Sequence, residues 1–283
     1  MRVLVTGAGG MLGREVVRAL SERGHEAIGL AHADLEITDE GAVWRAIRSL
    51  RPDAVVHCAA MTDVDGCESD PKKAFLVNAV GTAHLASASN AVGAVLVYIS
   101  TDFVFDGEKE EGYDEFDEPS PINEYGRSKL WGERLAQTLC PKHFIVRTAW
   151  LFGFGRRNFV SSVAQRLREE GKVKAVTDQM GSPTFTKDLA GALCDLLETE
   201  AFGIYHVVNS GRASRYELAR LIAQTLGLNP DRAVEPITSE EWPTPARRPK
   251  CSALKSVRWE ALGLKPLRHF SEAVREFLVA EAR

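Results

Sequence analysis

The 283-residue chain contains no apolar run approaching the roughly 20 residues that span a bilayer. It has no internal repeat and no low-complexity tract. No C-x-x-C pair occurs. The five cysteines, Cys58, Cys67, Cys140, Cys194 and Cys251, are scattered and odd in number, which argues against a disulfide framework or a structural zinc site. Neither sign of charge dominates. A net charge of −4 gives no general reason to expect nucleic acid or an anionic membrane surface as partner. Met1-Arg2 runs straight into "VLVTG", without the longer apolar region and cleavage site of a signal peptide, so the cytoplasm is the expected compartment. What remains, 45% apolar and 26% charged residues, is the composition of an ordinary globular protein.

What is present is a rhythm. "RVLVTG" reads as a buried strand, and Leu12, Val16, Ala19 and Leu20 recur at helical spacing over Met11 to Arg23, with Gly24 placed to end the helix. "EAIGL" predicts a second strand, residues 40 to 50 a helix, and "DAVVHCAA" a third strand. Asp70-Pro71 supplies a cap and a first-position proline for a helix reaching about Val92. "AVLVYIS" and "HFIVRTA" predict further strands, with Tyr125 to Gln137 helical between them. Strand and helix in alternation predict an α/β, Rossmann-type doubly wound parallel sheet with helices on both faces.

Beyond about Trp150 the rhythm loosens. Asn158 to Glu170 reads as helix, "KVKAVT" as strand, and Thr186 as the cap of a helix carrying Leu189, Leu193 and Leu197. "GIYHVVN" reads as strand, and Ser214-Arg-Tyr-Glu217 as a capping box. Residues 229–252, with five prolines and little periodicity, read as a long loop. The expected organisation is a dinucleotide-binding domain over 1–152, with a later return over roughly 185–210. A smaller substrate-binding part would comprise 153–184 and 211–283.

"TGAGGMLG" places Gly7, Gly10 and Gly13 in the first strand-to-helix turn. Glycine there permits a tight turn, close approach to a pyrophosphate and close helix packing, while the helix N-terminus offers free N–H groups to phosphates. The second strand ends "GLAH", with no carboxylate to hold a ribose 2′-hydroxyl or repel a 2′-phosphate, so NADPH is allowed beside NADH and weakly favoured. Arg14 and His32 are candidates to approach such a phosphate, Arg14 being open between that role and a solvated helix residue, and Asp34-Leu35 follows slightly later as a candidate for the adenine end.

"SPINEYGRSK" sets Tyr125 and Lys129 on one helix face. Alone the pair decides little. Thr101, 24 residues earlier, closes the strand "VLVYIS" at the carboxyl edge of the predicted sheet, where ligands bind in open α/β folds. Hydride arriving at a carbonyl carbon leaves negative charge on oxygen, and a positioned phenol can protonate it. A nearby ammonium favours the phenolate, and a hydroxyl can orient the carbonyl.

A hydroxyl, a tyrosine and a lysine beside a dinucleotide loop resemble the short-chain dehydrogenase/reductase superfamily, in its extended branch. "DLEITD" (34–39), "CAAMTDVDGCESDP" (58–71), "VNAVGT" (77–82), "STDFVFDG" (100–107), "RTAWLFG" (147–153), "DQMGSPT" (178–184) and "RPKCSAL" (248–254) narrow the likeness. Along essentially its whole length the chain is similar to the dTDP-4-dehydrorhamnose reductases. That resemblance implies reduction of a nucleotide-sugar ketone. It puts Gly10, Met11 and Leu12 at the cofactor pyrophosphate, Asp34 and Leu35 at the adenine, and Ala59, Ala60 and Thr62 along the cofactor. Thr101, Tyr125 and Lys129 would be the catalytic set, and Asp102 and Trp150 would touch substrate. Trp150 is open between a sugar contact and a core residue, and Arg248 between a substrate-diphosphate partner and a solvated loop charge. Cys251 stands where the family's R-P-x-N-S-x-L has asparagine, which puts one substrate-side hydrogen bond in doubt. Glu15 sits where some members bind Mg2+ at a dimer contact. A lone glutamate in a first helical turn suits the helix dipole as well, and no metal is expected. The chain is expected to be a monomer or homodimer. Rival readings are a nucleotide-sugar epimerase or dehydratase that retains NAD, and a non-catalytic regulatory subunit resembling that of methionine adenosyltransferase.

Overall fold

A computed structural model describes residues 1–281. In chain order the first part runs β1 (Arg2–Thr6), α1 (Met11–Glu22), β2 (Glu26–Leu30), α2 (Glu40–Leu50), β3 (Ala54–His57), α3 (Val64–Ser69), α4 (Pro71–Phe75), α5 (Gly81–Val92), β4 (Val95–Thr101), α6 (Glu124–Leu139) and β5 (His143–Thr148). It continues with β6 (Leu151–Phe152), α7 (Phe159–Glu170), β7 (Val173–Val176), β8 (Met180–Gly181), β9 (Thr184–Phe185), α8 (Thr186–Leu197) and β10 (Gly203–His206). The last part holds β11 (Ala213–Ser214), α9 (Arg215–Thr225), α10 (Pro230–Ala233), β12 (Val234–Ile237), α11 (Val257–Ala261) and α12 (Phe270–Glu281). No helix among the described residues is long and apolar enough to cross a membrane.

One six-stranded sheet, ordered β10-β5-β4-β3-β1-β2 and parallel throughout, carries the molecule. Its strands are apolar in continuous runs because both faces are covered, and successive side chains alternate between them. Val3, Val5, Val56, Val97 and Val146 pack with α1 and α8 on one face. Leu4, Val55, Leu96, Tyr98 and Ile145 pack with α2 and α5 on the other. The chain leaves β1 toward β2 and returns on the opposite side as β3. A crevice therefore opens at the carboxyl ends of β1 and β3, the place where such sheets take ligands. A separate apolar cluster joins α7, α9 and α12 through Val163, Leu167, Leu218, Ile222, Val274 and Phe277.

Three elements differ from the sequence expectations. The helix opened by Asp70, whose carboxylate accepts from Lys73 N at 3.1 Å, is interrupted by a π turn over Leu76–Val80. There the Asn78 side chain accepts from Met61 N and donates to Ser128 Oγ, so long-range contacts hold a turn that local propensity would have kept α-helical. Thr186 is the first residue of α8 rather than its cap, and among the described residues its hydroxyl is buried without a partner. Residues 229–252 are not all loop. They include α10 and β12, and β12 pairs in parallel with β7 from Val234↔Val173 to Ile237↔Val176. Four residues with a proline among them carry no local strand signal, and buried Val234 and Ile237 stabilise the strand from outside it.

Candidate active site

The glycine turn is shaped by contact. Gly7 has φ +67°, and a Cβ there would lie 2.7 Å from Ala59 N, on the neighbouring β3 turn. A Cβ on Gly13 would lie 2.3 Å from Gly7 O. Gly10 precedes α1 with no side chain over the helix end, which leaves its first N–H groups open. Gly7, Gly10, Met11, Leu12, Gly13, Leu35, Ala59, Ala60 and Thr62 all line one cavity of about 1310 Å³. A single drug-sized ligand fills roughly 300–1,000 Å³, so this space suits a dinucleotide with a second ligand beside it. The cradle left by three missing Cβ atoms, the open helix end and the buried, unpartnered Thr148 hydroxyl on the same wall all fit a nicotinamide dinucleotide.

Asp34 is not on that wall. Its Oδ2 accepts from Ala31 N at 2.8 Å, closing the turn after β2. His32 and Glu36 stand at the mouth, 3.6 Å apart. Arg14 turns instead to Gly9 O at 3.0 Å. Glu15 is not in the first turn of α1, as the sequence suggested, because the helix starts at Met11; it lies one residue beyond that turn and is paired with Arg18.

At the other end of the cavity two glycines set α6 hard against β4 and the turn that follows it. A Cβ on Gly126 would lie 2.0 Å from Phe103 O, and one on Gly132 would lie 2.2 Å from Tyr98 Oη. Asn123 caps the helix, accepting from Gly126 N at 2.8 Å. This apposition brings Tyr125 and Lys129 to the cavity wall beside Thr101, which ends β4. The phenol packs edge-on against Phe103, with ring centroids 5.9 Å apart. Burial and the nearby Asp102 charge push the Tyr125 phenol above its ordinary range, although the Thr101 hydroxyl favours its ionised form. The direction is thus opposite to the lowering that the sequence argument expected, and burial is its largest cause. Lys129 itself is only 2% exposed, and burial lowers its ammonium to about 7. Its Nζ lies 4.1 Å from the centre of the Tyr98 ring, while the Glu133 charge opposes the lowering.

Asp102 follows Thr101 and is buried on the same wall. It accepts from the Thr101 hydroxyl at 3.0 Å and from Ser252 Oγ at 2.5 Å, and burial pushes its carboxyl up to about 6. Here the large cavity meets a cleft of about 420 Å³, and Phe103, Trp150, Phe159 and Arg215 line both spaces. Trp150 is half-buried between the two options its sequence left open. It lines both cavities, yet it also packs on the α7–α9–α12 cluster. Its φ of +46° is unfavourable for a side-chain-bearing residue, and close contact with Gly181, where a Cβ would lie 2.3 Å from the indole, holds it there. Arg248 lines the smaller cleft, but its guanidinium is engaged by Asp65 at 2.6 and 2.9 Å. Cys251 is buried with its thiol toward Glu110 O at 3.4 Å, and neither cavity is lined by it. Ser252, the next residue, lines the smaller cleft.

Arg215 and Ser252 were not singled out by the sequence. Arg215 was hidden inside the capping box, where Ser214 and Glu217 do exchange hydrogen bonds at 3.0 and 2.7 Å. Ser252 is the last polar residue of "RPKCS", and only its 150-residue reach to Asp102 gives it meaning.

The matching family model is that of the RmlD substrate binding domain, over residues 1–282. A dTDP-4-dehydrorhamnose reductase of Streptomyces griseus is 45% identical over 281 residues, covering 97% of this chain and 92% of that protein. The crystal structure of a dTDP-4-dehydrorhamnose reductase from Clostridium acetobutylicum superposes with a TM-score of 0.96 at 40% identity, covering 100% of both chains. The dTDP-4-dehydrorhamnose reductase of Bacillus anthracis, solved in complex with NADP, gives 0.95 at 38% identity over 99% of each chain. With a family model spanning nearly every residue and relatives matched end to end, the chain belongs to the dTDP-4-dehydrorhamnose reductase family, whose shared unit is the RmlD substrate binding domain.

Proposed function

We propose that the protein reduces the C4 ketone of dTDP-4-dehydro-6-deoxy-L-mannose to dTDP-L-rhamnose, using NADPH or NADH. The observation that carries this reading is the meeting of Thr101, Tyr125 and Lys129 on the wall of the glycine-turn cavity, where a second cleft opens. Gly7, Gly10, Met11, Leu12 and Gly13 would hold the cofactor diphosphate, with Leu35, Ala59, Ala60 and Thr62 along its length. A reduced nicotinamide supplies hydride to the ketone carbon when bound. The Tyr125 hydroxyl then gives its proton to the oxygen as charge develops there. A phenol kept protonated by burial is well supplied with that proton before the reaction. The Thr101 hydroxyl, by turning its single proton from Asp102 to the ketone oxygen, orients that oxygen, and the Lys129 ammonium donates to a cofactor hydroxyl. Asp102 and Trp150 face the sugar. NADPH is favoured by the acid-free end of β2 and by the NADP-bound Bacillus anthracis relative. On this reading residues 1–152 with 185–210 serve the cofactor, and 153–184 with 211–283 serve the substrate.

The test is oxidation of NADPH and of NADH with dTDP-4-dehydro-6-deoxy-L-mannose, against other ketosugar nucleotides. Turnover with release of oxidised cofactor is expected. An enzyme that retained NAD and released no oxidised cofactor would be an epimerase or dehydratase. Binding without turnover would mark a regulatory subunit.

A further inference from the structure

The cations that line the smaller cleft differ in what they have to hold, Arg166 being paired with Glu170 at 3.6 Å. Arg248 is bonded through both terminal nitrogens to Asp65 and also donates to Ala246 O. Lys174 pairs with Glu235 at 3.0 Å, and Arg157 donates to Ser162 Oγ at 3.0 Å. Arg215, the first residue of α9, is different. Its guanidinium carbon lies 3.5 Å from the centre of the Trp150 ring and 4.6 Å from that of Phe159. Among the described residues it has neither a hydrogen-bond acceptor nor a salt-bridge carboxylate; its charged neighbours are Asp102 at longer range and Arg248, a second cation. Aromatic rings engage the flat face of a guanidinium and leave the in-plane N–H donors unused. A half-buried cation with spare donors and another cation nearby favours an anion between them.

We infer that Arg215 is the residue that holds the diphosphate of the sugar nucleotide, at the junction where the sugar enters the large cavity and the nucleoside enters the small cleft. The inference rests on the functional reading above and reassigns to Arg215 the part that the sequence resemblance gave to Arg248. Position carries it as well as charge. Arg215 lines both spaces, so a linear sugar–diphosphate–nucleoside ligand spanning them passes this side chain. Trp150, stacked beneath the guanidinium, would join the sugar site to the phosphate site.

The experiment is a cycle of ligand truncation against substitution, on protein loaded with NADP. Thymidine, dTMP and dTDP are titrated calorimetrically into the unaltered protein, Arg215→Met, Arg215→Lys and Arg248→Met. The unaltered protein should gain affinity from thymidine to dTDP. Arg215→Met should weaken dTDP by ~10–100-fold and leave thymidine nearly unchanged, the size of a lost charge-assisted hydrogen-bond pair. Arg215→Lys, which keeps the charge without the fork, should fall between. Arg248→Met should cost less, because Asp65 already occupies that guanidinium. KM for the ketosugar nucleotide should rise with the dTDP loss, while kcat changes less and the NADPH dissociation constant stays put. Equal weakening of thymidine and dTDP would make Arg215 a prop for Trp150 and overturn the inference. Weakened NADPH would assign the charge to the cofactor's phosphates and overturn it too, as would unchanged dTDP affinity in both Arg215 variants. Failure of the functional reading is separately visible, as unaltered protein that binds no dTDP and oxidises no NADPH with the ketosugar.

Discussion

The sheet side of the site and the cleft side are built by opposite means. On the sheet side, groups reach the cavity because regular elements end there, and missing side chains let those elements touch. Gly7 sits against Ala59, Gly126 against Phe103 and Gly132 against Tyr98. On the cleft side, two-residue strands, a left-handed tryptophan and proline-containing loops are tied together by polar contacts. Ser252 reaches Asp102, Arg248 reaches Asp65, and Asn123 Nδ2 reaches Arg247 O at 2.8 Å. The first construction fixes positions before any ligand arrives. The second leaves donors such as Arg215 unspent and suits a surface that must admit and release a large polar ligand.

The largest test of the sheet side is Tyr125→Phe. The loss of one hydroxyl preserves the contact with Phe103, so NADPH should bind with unchanged affinity and the melting temperature should hold. Turnover should fall by about 10²–10⁴-fold, the usual contribution of a positioned proton donor. Undiminished ketosugar reduction by this variant would sink the mechanism and leave Tyr125 and Lys129 a chance helix pair.

Next comes the packing itself. Gly126→Ala puts a methyl 2.0 Å from Phe103 O, a backbone atom that has little room to yield. Overpacking of this kind costs typically about 1–3 kcal/mol. Thermal or urea unfolding should show it, with kcat reduced because α6 carries Tyr125. Gly191→Ala is the control, since nothing lies within 4 Å of its added methyl. In the middle of α8 that change should stabilise by about 0.5–1 kcal/mol. If both alanines behaved alike, the close apposition of α6 and the turn after β4 would not be what positions the tyrosine.

These glycines show where the sequence was legible. The strand–helix rhythm, the glycine turn and the Tyr125–Lys129 spacing are local patterns, and regular hydrogen bonding converts local patterns into position. The same reasoning named Gly7 and Gly13 but passed over Gly126 and Gly132, because a glycine inside a helix declares itself only when its neighbour is known. On the cleft side the signals are non-local from the start. Arg248 could not be read as engaged without Asp65, which lies 183 residues away. Arg215 could not be read as free, and β12 could not be read as a strand without β7.

A smaller effect concerns pH. Burial lowers the Lys129 ammonium to about 7, far below an ordinary lysine. A group lowered in this way is charged below pH 7 and increasingly neutral above it. If the charged form holds the cofactor, NADPH affinity should be flat below about pH 7 and weaken by up to about tenfold per unit above it, until the lysine of the bound form also titrates. Lys129→Met should bind more weakly and show no such slope between pH 6 and 9. Fluorescence titration of NADPH across that range measures both. A slope that survives in Lys129→Met would belong to another group.

The smallest expected effect falls at Asp34, where the two sides of the comparison meet a residue that the sequence placed at the adenine. The structure turns its carboxylate onto Ala31 N, so it shapes the turn that carries His32 and Leu35 rather than facing the cavity. Asp34→Ala should therefore loosen that turn by about 1 kcal/mol, the net worth of a single hydrogen bond, and weaken NADPH and NADH by the same few-fold factor. Asp34→Asn, which keeps an acceptor for Ala31 N, should restore most of the loss. The ratio of the two dissociation constants separates this from direct recognition. A carboxylate that faced the ribose would repel a 2′-phosphate, and its removal would then strengthen NADPH while weakening NADH. If the ratio moves that way, Asp34 is a cofactor-selecting residue and the turn contact with Ala31 is incidental. If the ratio stands still while both affinities fall, cofactor choice lies elsewhere around the mouth, where His32 and Glu36 face each other.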